Sequence, residues 1–223
     1  MYYRRTLESF VASAEKQFPV LLVTGARQVG KTTFLRHAAG AARTYVTLDD
    51  PLALDLAARD PALFLQRFPP PVLIDEIQYA PGLLPHIKMA VDSSVTPGQF
   101  WLTGSQHFHL MKGISESLAG RVGILQLLGL SRRELVKHHE ESRPFLPTAS
   151  IIEDMTAAMD RLTLKEHYTL IWRGSFPAVA LHDEMDRDLF YRSYVQTYLQ
   201  RDVRDLAKVG DEAGPALKAK ILA

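Results

Sequence analysis

One stretch constrains this chain more than any other. Gly25-Ala26-Arg27-Gln28-Val29-Gly30-Lys31-Thr32-Thr33 matches the phosphate-loop pattern G-x-x-x-x-G-K-[ST] at Gly25, Gly30, Lys31 and Thr32. The flanks agree with the motif. Pro19-Val20-Leu21-Leu22-Val23-Thr24 is a short apolar run that reads as a buried parallel strand. Thr33-Phe34-Leu35-Arg36-His37-Ala38-Ala39 has helix-forming composition and stops at Gly40. Strand, glycine loop and helix follow in the order that phosphate binding needs. The glycines let backbone N–H groups approach phosphate oxygens, and the helix start adds unpaired N–H groups and partial positive charge. In this pattern Lys31 reaches the β- and γ-phosphates and Thr32 ligates Mg²⁺. The competing reading is a strand-to-helix turn that happens to contain two glycines, and the complete pattern with both flanks in place weighs against it.

The second informative stretch is Pro71-Val72-Leu73-Ile74-Asp75-Glu76-Ile77. An apolar run ending in two carboxylates is what a buried strand looks like when its C-terminal end carries a Mg²⁺ ligand. Asp75 takes that role and Glu76 polarises the attacking water. Read alone, the pair fits a solvated strand end equally well. Its place 44 residues after Lys31 (75 − 31) leaves room for a helix, a strand and a short helical insertion. Gln99-Phe100-Trp101-Leu102-Thr103-Gly104-Ser105 reads as another buried strand ending in small polar residues. In a parallel sheet such ends face the ligand crevice, so Thr103, Ser105 or Gln106 can touch the γ-phosphate or the water. The competing reading is an exposed strand-to-loop junction.

Between these landmarks the pattern is helical and strand-like in turn. Leu7, Phe10, Val11 and Ala14 predict an amphipathic helix over about 6–17. Thr44-Tyr45-Val46-Thr47-Leu48 reads as a strand, followed by helices capped by Asp50 before Pro51 and Asp60 before Pro61. A helix is expected over about 83–91 and a fifth strand over 122–128, with Arg121 at its mouth. There Arg121 either senses γ-phosphate, in its own site or a neighbour's, or serves as a structural ion-pair partner. Ser131 and Glu134 have capping-box spacing. His107 and His109 lack further ligands at metal-site spacing, and His138-His139 read as a polar helix end.

Residues 139–150, rich in Glu, Ser and Pro, read as a linker. They divide a phosphate-loop domain at 1–138 from an all-helical region at 151–223. That region has helices around Met155, Met159 and Leu162, from Leu164 to Trp172, and from Asp183 to about Lys208, with a break at Gly174-Ser175-Phe176-Pro177. Leu189, Phe190, Tyr194, Val195, Tyr198 and Leu199 form an apolar stripe that reads as core. Arg201, Asp202, Arg204 and Asp205 read as a solvated face from which either arginine could reach a phosphate.

Bulk properties exclude several classes. The 223 residues suit one large domain or one and part of a second. Formal net charge is +1, so no global field points to nucleic acid or a membrane surface. There is no cysteine, which fits a reducing cytoplasm, and no apolar run of transmembrane length. There is also no asparagine, so the Asn-Lys-x-Asp loop by which GTPases read guanine is absent.

Taken together, the loop, the acidic strand, Leu102-Thr103-Gly104-Ser105-Gln106, Ser115-Glu116-Ser117-Leu118-Ala119-Gly120-Arg121, Gly174-Ser175-Phe176-Pro177 and Thr197-Tyr198-Leu199-Gln200-Arg201-Asp202-Val203 resemble the prokaryotic P-loop ATPases of the AAA+ superfamily. In these an N-terminal ATPase domain precedes a domain of unknown function. The resemblance implies an α/β fold: a three-layer αβα domain with a parallel sheet in the order 5-1-4-3-2, then a small helical lid. It implies ATP and Mg²⁺ as ligands. It puts Ser105 where the polar strand-end sensor belongs, although AAA+ proteins often carry asparagine there, and Arg121 where a finger or sensor belongs. Members usually continue well beyond Tyr198–Val203, so the chain is expected to be C-terminally truncated.

The functional expectation is Mg²⁺-dependent ATP hydrolysis driving a conformational switch. Backbone N–H groups of residues 25–33 and Lys31 hold the triphosphate, Thr32 and Asp75 the metal, Glu76 the water, and Ser105 the γ-phosphate. A small-molecule kinase would need an arginine-rich lid that Leu83–Ser94 does not supply. The alternative is a nucleotide-binding interaction module with little or no hydrolysis, whose site a second copy or a protein partner completes. A nucleic-acid partner has no motif to support it.

Overall fold

The structure is a computed structural model, and it describes residues 2–94, 96–105, 108–137, 148–158 and 162–197. Five strands form one parallel sheet: β1 (Val20–Thr24), β2 (Thr44–Thr47), β3 (Val72–Asp75), β4 (Phe100–Thr103) and β5 (Val122–Gln126), in the order β2-β3-β4-β1-β5. This is the expected 5-1-4-3-2 order read from the other edge. Every residue of β1, β3 and β4 is buried, as near-continuous apolar runs require when helices cover both faces of a sheet.

The side-chain alternation of a strand separates two cores. Val20, Leu22, Val72, Ile74, Phe100 and Leu102 face one side. There they meet helices α3 (Pro51–Arg59), α4 (Pro61–Arg67), α5 (Leu83–Ser93) and α6 (Phe108–Ser117) through Ala57, Phe64, Ile87 and Ile114. Leu21, Val23, Leu73 and Trp101 face the other side and pack on α1 (Glu8–Ala14) and α2 (Lys31–Ala39) through Val11, Phe34 and Leu35. Fully burying one such side chain contributes about 1.5–3 kcal/mol.

Local signals place the helix starts. The side chains of Asp50 and Asp60 accept the N–H groups of Leu52 and Leu63, with Pro51 and Pro61 at the first helical position. Ser131 and Glu134 form the capping box of α7 (Arg132–Leu135).

The later residues are helical: α8 (Ala149–Ala158), α9 (Leu164–Arg173), α10 (Pro177–Ala180) and α11 over residues 187–197. Most of the expected linker lies outside the described residues, and Ala149 and Ser150 already belong to α8. Met159, Tyr198, Leu199, Arg201 and Arg204 also fall outside them. The expected apolar stripe divides. Phe190 and Tyr194 pack on Phe176, with ring centroids 5.8 and 4.8 Å away, whereas Leu189 and Val195 are exposed. Phe176 in turn packs against the second core, and the Leu130 N–H donates to the Ser175 carbonyl at 2.7 Å. The Gly174–Pro177 break is therefore where the helical part meets the sheet domain. Among the described residues no helix is long and apolar enough to cross a membrane.

Candidate functional site

The C-terminal ends of β1, β3 and β4 come together at one edge of the sheet, the crevice where parallel sheets bind ligands. From β1 the chain turns through residues 25–30 into α2. Gly25 adopts φ +146°, and a Cβ there would lie 2.2 Å from the Leu127 carbonyl oxygen, so only glycine lets the loop pass the end of β5. Gly30 caps α2 in the left-handed region at φ +93°. Gln28 shares that region at φ 62°. Between them Val29 is buried in the second core, which pins the loop, while Ala26 and Gln28 are exposed and Arg27 is half-buried. Thr33 is exposed, one residue beyond the cluster described next.

Lys31, the first residue of α2, is buried and bends back over the loop. Its Nζ donates to the carbonyls of Gly25 at 3.1 Å and Ala26 at 3.0 Å. Burial pushes this ammonium below the ordinary lysine range. The Glu76 and Asp75 carboxylates pull the other way, and the Arg27 guanidinium adds to the lowering. A cation held on carbonyl oxygens at the start of a helix is suited to exchange those oxygens for phosphate.

Asp75 is the hub of the site. It is buried, and three hydroxyls converge on its carboxylate. Thr32 Oγ1 donates at 2.9 Å, equidistant from Oδ1 and Oδ2; the Tyr45 hydroxyl donates to Oδ2 at 3.1 Å; Thr103 Oγ1 donates to Oδ1. Thr103 also accepts the Glu76 N–H at 3.0 Å, so one hydroxyl sets both carboxylate residues. Burial, with Asp75 adding to it, holds the Tyr45 phenol above its usual range. An oxygen-only donor set with one carboxylate and one hydroxyl suits Mg²⁺, which binds through one or two carboxylates plus substrate phosphates. Among the described residues no cluster of three or more His, Cys, Asp or Glu could form an all-protein metal cage.

Glu76 stands one residue on, half-buried, in the left-handed region at φ 61° and ψ 46°. That turn separates its carboxylate from the one of Asp75, and the Gln78 side-chain amide donates to it. Arg27 Nη2 reaches the Tyr79 hydroxyl at 3.4 Å, which spans from the phosphate loop to the turn after Glu76. Ser105, two residues past β4, is buried, and its hydroxyl has no hydrogen-bond partner among the described residues. Gln106 and His107 lie outside them.

Lys31, Thr32, Asp75 and Glu76 thus come together as the sequence suggests, with Thr103 as their scaffold. Arg121 does not join them. It precedes β5, and its carbonyl accepts the Val20 N–H at the start of β1. Four residues of parallel strand, about 13 Å, separate that end from Thr24. The Arg121 side chain instead pairs with Asp92 and donates to the Ala119 carbonyl. Of the two readings of Arg121, the ion-pair partner is the one this chain builds; the sensor of its own site is corrected. Sequence reading missed Tyr45, whose role depends on strand pairing. Tyr45 lies opposite Leu73 and Thr47 opposite Asp75, so Tyr45 and Asp75 share a face.

A parallel sheet in this order, with a glycine loop leading into a helix beside a strand-end aspartate, defines a P-loop nucleoside-triphosphate-binding fold of the AAA type. Residues 17–136, more than half of the chain, match the AAA domain family, and the chain belongs to it. Residues 164–218 match a domain of unknown function. Two mycobacterial proteins that carry the name uncharacterized, Rv2008c of Mycobacterium tuberculosis and Mb2031c of Mycobacterium bovis, are each 31% identical over 204 residues. The match takes in 91% of this chain, which spans 40% of the length of these curated relatives. The Walker-type ATPase PABY2304 of Pyrococcus abyssi shares the fold, with a TM-score of 0.52 at 16% identity over 95% of this chain and 77% of that one.

Proposed function

We propose that this chain binds ATP with Mg²⁺ and hydrolyses it, and that the bound and hydrolysed states act as a conformational switch. The observation that carries the reading is the meeting of Thr32 and Asp75 at 2.9 Å beside the buried Lys31 and one residue from Glu76. Four groups of complementary role converge on one strand-end crevice in a family of AAA domains. Backbone N–H groups of residues 25–33 cradle the phosphates, and Lys31 leaves the Gly25 and Ala26 carbonyls to pair with the β- and γ-oxygens. Thr32 and Asp75 would hold the metal, which would supply charge neutralisation. Glu76 orients the attacking water and takes up its proton. The buried Ser105 hydroxyl is the group we assign to the γ-phosphate or the water.

A second reading is a nucleotide-binding module with little turnover, completed by another copy or by a protein partner. The bond between Gln78 and Glu76 favours it, because a base engaged by an amide must be released before it can work. Measuring ATP binding and turnover for the wild type and Glu76→Gln, at several protein concentrations, separates the two. The ATPase reading expects both to bind and the variant to turn over roughly 10²-fold more slowly or worse. Binding without turnover at any concentration selects the module. Turnover that rises with concentration means that a second copy completes the site.

A further inference from the structure

The N-terminal segment sends one side chain beneath the phosphate loop. Arg5 is buried, at 6% exposure, although it precedes the first helix and belongs to no motif. Its Nη1 donates to the Val29 carbonyl at 3.1 Å. Its Nη2 donates to the carbonyls of Leu128 at 2.7 Å and Gly129 at 3.1 Å, just past β5. Its Nε lies 3.2 Å from Glu134 Oε1, and both side chains are 5% exposed. Glu134 is itself fixed, since it accepts the N–H groups of Thr6 and Ser131, each at 2.8 Å. A planar guanidinium is the one side chain that can reach several carbonyls in a fixed fork; those bonds hold Arg5 in place, and Glu134 compensates its buried charge.

The consequence lies in a single peptide. In a planar trans peptide the carbonyl and the N–H point in opposite directions. A Val29 carbonyl held on Arg5 therefore turns the N–H of Gly30 away from Arg5. Gly30 is the N-cap of α2, where helical geometry leaves the N–H groups unpaired. A cation on the carbonyl also draws electron density from that N–H and makes it a stronger donor.

We propose that Arg5 is a positioning residue of the phosphate site, which orients and polarises the Val29–Gly30 peptide so that the Gly30 N–H meets a phosphate oxygen. The inference rests on the proposed phosphate-binding role of the loop. Its structural half, the hold on one peptide, stands independently of that role.

The test uses the whole chain as wild type, Arg5→Lys, Arg5→Gln and Glu134→Gln. The readouts are the ¹⁵N–¹H shift of Gly30 without ligand, the Kd for Mg²⁺–ATP and for pyrophosphate, and the thermal midpoint. In the Arg5 variants the Gly30 resonance moves, and both ligands bind roughly 10- to 100-fold more weakly, the scale of a lost charge-assisted hydrogen bond. Lysine, with a single ammonium in place of the fork, restores less than half of the shift. Glu134→Gln keeps Arg5 under Val29, so it lowers the midpoint while Gly30 and the two Kd values stay within twofold. A Gly30 resonance unmoved in any folded Arg5 variant overturns the proposal, as do Kd values that follow the thermal midpoint alike in all three variants. If the wild type binds neither ligand, the proposed function fails, and the Gly30 shift still decides whether Arg5 sets the peptide.

Discussion

The two ends of the sheet are built from the same strands and treat charge in opposite ways. At the N-terminal end each cation is paired with a carboxylate. Arg121 pairs with Asp92, which Lys88 also reaches at 3.0 Å. Arg43 pairs with Glu15 at 2.9 Å while its guanidinium lies 4.2 Å over the Trp101 ring. A cleft of 580 Å³ opens at this end, lined by Glu15, Arg43, Trp101 and the Pro70-Pro71 turn. Volume does not make it the reactive site, because its cation is already neutralised. At the C-terminal end Lys31, Asp75, Thr103 and Ser105 are all buried. There Lys31 rests on two carbonyls instead of a carboxylate, and the Ser105 hydroxyl has no partner among the described residues. Burying polar groups short of their best partners costs free energy, and a fold retains that cost where a ligand repays it.

The largest effect should come from the cation at the buried end. Lys31→Ala is expected to abolish measurable ATP binding in calorimetry, or to lower turnover by about 10³-fold, as for a lost electrostatic stabiliser. Binding at wild-type strength would make the two ends equivalent and break the comparison.

The loop glycines sharpen it. Gly25→Ala meets both the Leu127 carbonyl and a forbidden φ. It should cost about 3 kcal/mol in urea unfolding and lose nucleotide binding. Gly30→Ala has its nearest neighbour, Arg5 Nη1, at 4.0 Å and suffers only from its φ, so it should cost about 1 kcal/mol. Equal costs would mean that the loop does not bear on β5.

A smaller, graded effect concerns pH. The Lys31 ammonium lies below the ordinary lysine range in the ligand-free protein, whereas bound phosphate favours its charged form. Binding then takes up a proton between the two pKa values. Affinity is flat below the lower one and falls as pH rises through it, by up to about tenfold per pH unit. Calorimetry across alkaline pH should place the onset below the range of a free lysine and lose it in Lys31→Arg.

At the opposite end the smallest change is expected. Arg121→Ala should leave ATP affinity and turnover within twofold at protein concentrations too low for copies to meet. A large loss under those conditions would show that the two ends are coupled.

What was legible in the sequence was local. Asp50, Asp60 and Ser131 cap helices through N–H groups two or three residues away, so spacing along the chain suffices. The Gly25–Thr32 loop and the run into Asp75 lie within single turns and strands, and the family resemblance carried the strand order. For Arg121 the own-site sensor alone is corrected, and the signal against it was present: a residue that precedes a parallel strand stands at the end away from the crevice of its own chain.

The sequence by itself therefore determined the fold class, the phosphate loop and the strand-end carboxylates, because those depend on neighbours within a few residues and on the two periodicities of side-chain direction. Only the tertiary structure decided which hydroxyls Asp75 would receive, that Tyr45 from the edge strand would be one of them, and that Arg5 would lie under Val29. Those contacts join residues 24 to 43 positions apart. Register across the sheet and the path of the N-terminal segment set them, and no spacing along the chain encodes either.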